Sequence, residues 1–295
     1  MNPTLDAAAG TAADPLASRR RLLIGSLAGG FALAVQPVAA QSLITTPDAG
    51  LLAGEVRIPA ADRELRAYRA QPAIARGRLP TVLVVQEIFG VHEHIRDVCR
   101  RLAQLGYLAI APDLYARQGD PTTYPDVKSL IGELVSKVPD AQVMADLDVT
   151  ARWAAARGGD PDKLGITGFC WGGRIVWLYA AHNRRLKAGV AWYGGLAREP
   201  TPLTPTQPIA LVDALKAPVL GLYGGADSGI PNDNVERMRA LLAVSRNPAA
   251  VASELVLYPD TPHGFHADYR PSYREPQARD GWARLGDWFA RHGVA

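Results

Sequence analysis

A cysteine, an aspartate and a histidine can together make a covalent acyl-transfer centre. The sulfur attacks, the imidazole moves the proton, and the carboxylate holds the imidazole in place. Cys170 stands in Gly168-Phe169-Cys170-Trp171-Gly172-Gly173, after a strand pattern at Lys163–Thr167 and before a helical pattern at Trp171–Ala181. A nucleophile spaced between glycines at a strand-to-helix turn reads as an elbow. The turn is tight, so Gly168 and Gly172 must leave room where the neighbouring strand and the helix cross. The helix start behind the sulfur carries a partial positive charge that suits a thiolate. The Trp171 N–H lies in the first turn, where it has no helical acceptor and can face an oxyanion.

Asp227 closes Gly224-Gly225-Ala226-Asp227 after the strand pattern Val219–Tyr223, and His263 follows Glu254–Leu257 in Tyr258-Pro259-Asp260-Thr261-Pro262-His263. Taken singly, Asp227 reads equally as a turn or helix-capping carboxylate and His263 as a surface loop histidine. Taken together, all three residues follow strands, in the order nucleophile, acid, base that α/β-hydrolases use. Glu87 closes the β-branched run Thr81–Gln86. A carboxylate at the end of a buried strand needs a partner, an arginine being the plain structural choice.

The elements that must position these residues alternate along the chain. Strand patterns fall at Glu55–Ile58, Glu64–Ala70, Thr81–Gln86, Tyr107–Ala111, Lys163–Thr167, Ala188–Tyr193, Val219–Tyr223 and Glu254–Leu257. Helical patterns fall at His92–Gln104, Val127–Val138, Gln142–Ala156, Trp171–Ala181, Val235–Leu242 and Ala278–Arg291. The alternation predicts an α/β fold, a mainly parallel doubly wound sheet with helices on both faces. Ligands in such sheets bind beyond the carboxyl ends of the strands. Neither a repeat nor a linker divides residues 54–295, which read as a single domain preceded by an extended leader at 41–53; Pro200–Pro208 reads as a surface loop.

Four stretches resemble the dienelactone hydrolase family, whose characterised activity is carboxymethylenebutenolidase: Gln86-Glu87-Ile88-Phe89-Gly90-Val91, Ala111-Pro112-Asp113-Leu114-Tyr115-Ala116-Arg117, Gly168–Gly173 and His263-Gly264-Phe265. The resemblance implies the α/β-hydrolase fold and hydrolysis of a small ester or enol-lactone without metal or organic cofactor. It implies Cys170 as nucleophile, His263 as base and Asp227 as the residue orienting His263. It further implies an oxyanion hole from the N–H groups of Ile88 and Trp171. Glu87 corresponds to a carboxylate that switches the thiol to thiolate, and Phe89, Tyr115, Arg117, Phe265 and His266 fall around the substrate pocket. One family position departs: an arginine that grips the substrate carboxylate after the histidine is here Ala267, with Arg270 displaced from it. A second such arginine belongs to the region after Arg117, where Arg117 and Lys128 are the candidate replacements. A neutral ester or thioester as substrate, or a non-catalytic binding protein on the same fold, are the alternatives.

Composition narrows the rest. A net charge of +3 at pH 7 is too small for a nucleic-acid footprint, and two cysteines supply neither a disulfide framework nor a four-cysteine zinc site. Cys99 lies on the apolar stripe of its helical pattern and reads as a reduced core residue. His92-x-His94 lacks a third ligand at useful spacing, and His94 reads as a capping or pocket-rim residue. His182 and His292 read as helix-end surface residues, and Trp153, Trp177, Trp192, Trp282 and Trp288 as core.

Residues 1–40 read as a twin-arginine-type signal peptide. Arg19-Arg20-Arg21 precedes the apolar run Leu22–Val35, and Val38-Ala39-Ala40 supplies small residues before cleavage. At about 1.5 Å per residue the run is too short for the ~30 Å hydrocarbon core of a bilayer. The expectation is an exported, periplasmic or secreted monomer whose partners are its small-molecule substrate and the export machinery.

Overall fold

Uninterrupted apolar strands need cover on both faces, and the sheet is built around such strands. The computed structural model describes residues 44–295. Its strands are β1 (Leu51–Pro59), β2 (Glu64–Pro72), β3 (Leu79–Val85), β4 (Leu108–Pro112), β5 (Gly159–Phe169), β6 (Leu186–Trp192), β7 (Val219–Gly224) and β8 (Glu254–Tyr258). The main helices are α1 (Glu93–Gln104), α2 (Asp140–Ala155), α3 (Trp171–His182), α4 (Asn232–Val244) and α5 (Glu275–Arg291). The eight strands form one sheet in the order β1-β2-β4-β3-β5-β6-β7-β8. The pairs β1–β2 and β2–β4 are antiparallel, and every pair from β4–β3 to β7–β8 is parallel.

The helices divide between the two faces. A side chain added at Gly189 of β6 would meet Val176, and one added at Gly221 of β7 would meet Trp177, so those positions face α3. On the opposite face Gly281 of α5 packs on Trp192 and Leu222. His94 of α1 reaches the same face, through Phe169 stacked on Trp192. Helix α1 buries Ile95, Val98, Cys99 and Leu102 at helical spacing. It stops where Gly106 takes a φ of +96°, a backbone state that glycine adopts without strain.

Pairing altered three sequence-based boundaries. The leader is shorter than 41–53, because β1 starts at Leu51 and pairs with β2 from Leu51↔Pro72 onward. Strand β5 begins at Gly159 because β3 pairs with it across an irregularity at Pro80/Thr81. The pattern at Val127–Val138 is not one helix. It is a single α turn at Val127–Ser129, a π turn at Leu130–Leu134 and a 3-10 turn at Val135–Lys137, which together turn Leu130 and Leu134 into the core. The signal-peptide reading of 1–40 lies outside the described residues.

Candidate active site

Cys170 links β5 to α3 with φ +56° and ψ −113°. A non-glycine residue there carries strain of about 1–3 kcal/mol. The backbone fixes it: Cys170 N–H donates to Trp192 O at 3.0 Å, and its carbonyl accepts from Gly173 N–H at 3.0 Å. The flanking glycines are required by space. A Cβ on Gly172 would lie 2.5 Å from Gln86 O and 2.6 Å from Val85 O, and one on Gly168 would lie 2.7 Å from the Gly172 carbonyl carbon.

The loops after β7 and β8 are stitched together by Gly225 N–H to Tyr258 O (2.7 Å) and Ala226 N–H to Thr261 O (3.0 Å). That stitching brings Asp227 to His263. His263 Nδ1 donates to Asp227 Oδ2 at 2.6 Å, while Asp227 Oδ1 accepts from Gly229 N–H at 2.8 Å. The imidazole also interacts electrostatically with the Cys170 side chain. All three residues are buried. Burial alone would lower the histidine's pKa, but the charges of Asp227 and Cys170 outweigh it and raise it from 6.5 to about 10. The ring of Tyr193, itself at φ +39°, stands edge-on to His263 with centroids 5.0 Å apart.

Glu87 lies just beyond β3, fully buried. Its Oε2 accepts from Tyr269 O–H at 2.5 Å and faces His92 Nε2 at 3.2 Å; Oε1 is 3.8 Å from Arg270 Nη2. Burial would raise its pKa, but the Arg270 charge and the His92 hydrogen bond hold it below the usual carboxylate range. Arg270 in turn lies over the rings of Phe89 (4.8 Å) and Tyr269 (5.2 Å) and donates through Nε to Tyr269 Oη at 3.0 Å. Local sequence pattern assigns His92, Tyr269 and Arg270 no such role. Their only signal was the need of a buried carboxylate for partners.

The remaining candidates divide. Ile88 and Trp171 line a small cavity beside Cys170, together with Ile131, Val135 and Arg198. Its volume is about 30 Å³, room for one or two water molecules. The Tyr115 ring lies 5.3 Å from that of Trp171, and burial pushes its phenol well above the ordinary value. Phe265 packs behind His263, against Tyr193 and Tyr258. His266 is buried between the stacked rings of Phe169 and Trp282, and that burial pushes its pKa well below 6.5.

Arg117 is committed elsewhere, its Nε to Asp62 at 2.9 Å and its Nη1 to Asp146 at 2.6 Å. His94 is fully buried and no rim residue: its Nδ1 faces Asp268 Oδ1 at 3.2 Å. No side-chain cap bond forms at the start of α1 either. Neither Cys99 nor Cys170 is in a disulfide.

Comparison with known proteins places this arrangement in a family. The model of the Dienelactone hydrolase family matches residues 65–293. A Methylorubrum extorquens protein named "Putative carboxymethylenebutenolidase" is 59% identical over 285 residues, 96% of either chain. A Salmonella typhimurium protein of the same name is 55% identical over 264 residues, covering 90% of this chain and 96% of its own. A crystal structure named "Putative Dienelactone Hydrolase", from Klebsiella pneumoniae, superposes with a TM-score of 0.79 at 60% identity, covering 81% of this chain and 98% of that one. The elbow at Cys170, the sheet that carries it and these likenesses agree: the chain belongs to the dienelactone hydrolase family and is a hydrolase with the α/β-hydrolase fold.

Proposed function

We propose that the protein hydrolyses a small carboxylic ester or enol-lactone through a covalent thioester on Cys170. The observation that carries this reading is the hydrogen bond from His263 to Asp227, with the imidazole close enough to Cys170 to interact with it electrostatically, beyond the carboxyl ends of β7, β8 and β5. The thiolate adds to the acyl carbon, and the electron pair of the carbonyl moves to its oxygen. The N–H groups of Ile88 and Trp171 receive that oxyanion. The carbonyl re-forms, the C–O bond to the leaving oxygen breaks, and the imidazolium of His263 gives that oxygen its proton.

Acylation removes the charge from sulfur. One of the two charges that hold His263 protonated is then gone, and the neutral imidazole becomes a base. It takes a proton from water, hydroxide adds to the thioester, and the thiolate leaves as the acid is released. Asp227 holds the imidazole tautomer through both halves. Glu87, pinned by Tyr269, His92 and Arg270, borders this centre as a carboxylate; its part is to set the charge near the thiol.

Residues 1–40 act as a twin-arginine export signal in this reading, and the folded domain works as an exported monomer. The central test is turnover of para-nitrophenyl acetate by purified protein. Cys170→Ala lowers kcat by on the order of a thousandfold or more. Wild-type rates in that variant refute the assignment.

A further inference from the structure

Tyr193 is held in a backbone state that a tyrosine avoids when left alone. It is the residue after β6 and takes φ +39°, in the left-handed region. Its neighbours impose that angle. Its N–H donates to Leu222 O of β7 at 2.8 Å. Beside it the chain passes the first turn of α3 so closely that no side chain fits between. A Cβ on Gly173 would lie 2.5 Å from Trp192 O, and one on Gly194 would lie 2.5 Å from Arg174 N. The ring is thereby fully buried, edge-on to His263 at 5.0 Å and to Phe265 at 5.2 Å between centroids.

Packing accounts for the ring but not for its hydroxyl. The Tyr193 hydroxyl is buried and makes no hydrogen bond among the described residues. An unpaired buried hydroxyl carries a cost that phenylalanine would avoid. Tyr193 interacts electrostatically with Cys170 and with Glu87, and Glu87 Oε1 likewise makes no hydrogen bond among the described residues. Burial and the Glu87 charge push the phenol well above its ordinary pKa, so the oxygen keeps its proton. It is a neutral O–H that can give one hydrogen bond and accept another.

The hydrolase reading leaves one reactant without a holder. In the first half of the reaction the acyl oxygen has the N–H groups of Ile88 and Trp171. In the second half, water must meet the thioester carbon with a lone pair forward, and His263 fixes only one of its two O–H bonds. His263 Nδ1 is taken by Asp227, so that proton goes to Nε2. We propose that Tyr193 is a further catalytic residue, whose hydroxyl accepts a hydrogen bond from the other O–H of this water while donating its own toward Glu87. No proton leaves the tyrosine. The water O–H bond to His263 breaks and the C–O bond forms; the C–S bond then breaks with its electron pair on sulfur, and the acid departs. The proposal rests on the hydrolase reading above and deepens it.

Tyr193→Phe keeps the ring and removes only the oxygen. Enzyme in excess over para-nitrophenyl butyrate, sampled by rapid acid quench, yields two rates. Release of para-nitrophenolate reports acylation, and intact mass follows the decay of the butyryl-enzyme. Tyr193→Phe leaves acylation within about twofold of wild type and slows the decay roughly tenfold, the size of one net hydrogen bond. Hydroxylamine, which cleaves a thioester without a base, removes the butyryl group equally fast from both proteins. Unchanged decay in Tyr193→Phe overturns the proposal, as does a matching loss in acylation or toward hydroxylamine. Ester turnover that survives Cys170→Ala overturns the hydrolase reading itself. Turnover lost in Cys170→Ala, with unchanged decay in Tyr193→Phe, overturns only the role of Tyr193.

Discussion

At Cys170 a side chain is held at a backbone angle it would avoid if left alone. The strain persists because two backbone hydrogen bonds and two obligatory glycines over-determine the turn. His263 makes a second prediction about this centre. Its pKa is raised in the folded chain from 6.5 to about 10. A raised value adds stability that is fully present below pH 6.5 and lost as pH rises through about 10. Asp227→Asn removes a principal cause of that rise. Its deficit in unfolding free energy is therefore largest near pH 6.5 and narrows toward pH 10, as urea midpoints across that range will measure. A deficit that grows with pH would contradict the assignment. The three residues were legible in the sequence because each lies at or in the loop after a strand. The partners of Glu87 were not, because Tyr269 and Arg270 lie far along the chain and reach Glu87 only in the folded molecule.

Helix α1 and the segment after His263 form one unit, riveted by buried charge. Asp97 accepts from Arg100 at 3.0 Å and from Arg101 at 2.5 Å. Arg101 also donates to Asp268 at 2.5 Å, and Asp268 faces His94. Asp97 and Asp268 have almost no contact with water, so each depends on its partners. Burial would raise the pKa of Asp268, but His94 and Arg101 outweigh burial and lower it. Arg101→Met removes one charged partner from each of two buried carboxylates, leaving Asp97 with Arg100 and Thr46 and Asp268 with His94. The expected cost is about 2–4 kcal/mol, read as a lower urea midpoint with unchanged m. A change under about 0.5 kcal/mol would mean that the network is replaceable by water. The reading of His94 as a rim residue failed here: helical spacing identifies the buried stripe of α1 but not a buried acid arriving from another element.

The whole molecule explains why the site lies where it does. After β3 the chain crosses to β4 on one side and later returns to β5 on the other. At that reversal, by the carboxyl end of β3, Ile88 and Cys170 share the wall of the small cavity. The antiparallel pair β1–β2 extends the sheet beyond β4 and gives α1 a surface to cover. The proposed export belongs to this scale as well, since a twin-arginine route carries a folded passenger. Fused to a periplasm-dependent reporter, residues 1–40 should direct export, and Arg19→Lys with Arg20→Lys should abolish it. Export that survives the double substitution would refute the twin-arginine reading.

The sequence alone determined the alternation of strands and helices, the elbow at Cys170 and the positions of Asp227 and His263. Those features are written in local chemistry: β-branched runs, helical stripes, and glycines where two backbones cross. Only the tertiary structure decided which charges meet. It took Arg117 to Asp62 and Asp146, brought Arg270 to Glu87, buried His94 against Asp268 and laid Arg198 on Gly195 beside the thiol. A long charged side chain can reach any of several partners. Which one it finds depends on strand order and loop stitching, and spacing along the chain does not encode that choice.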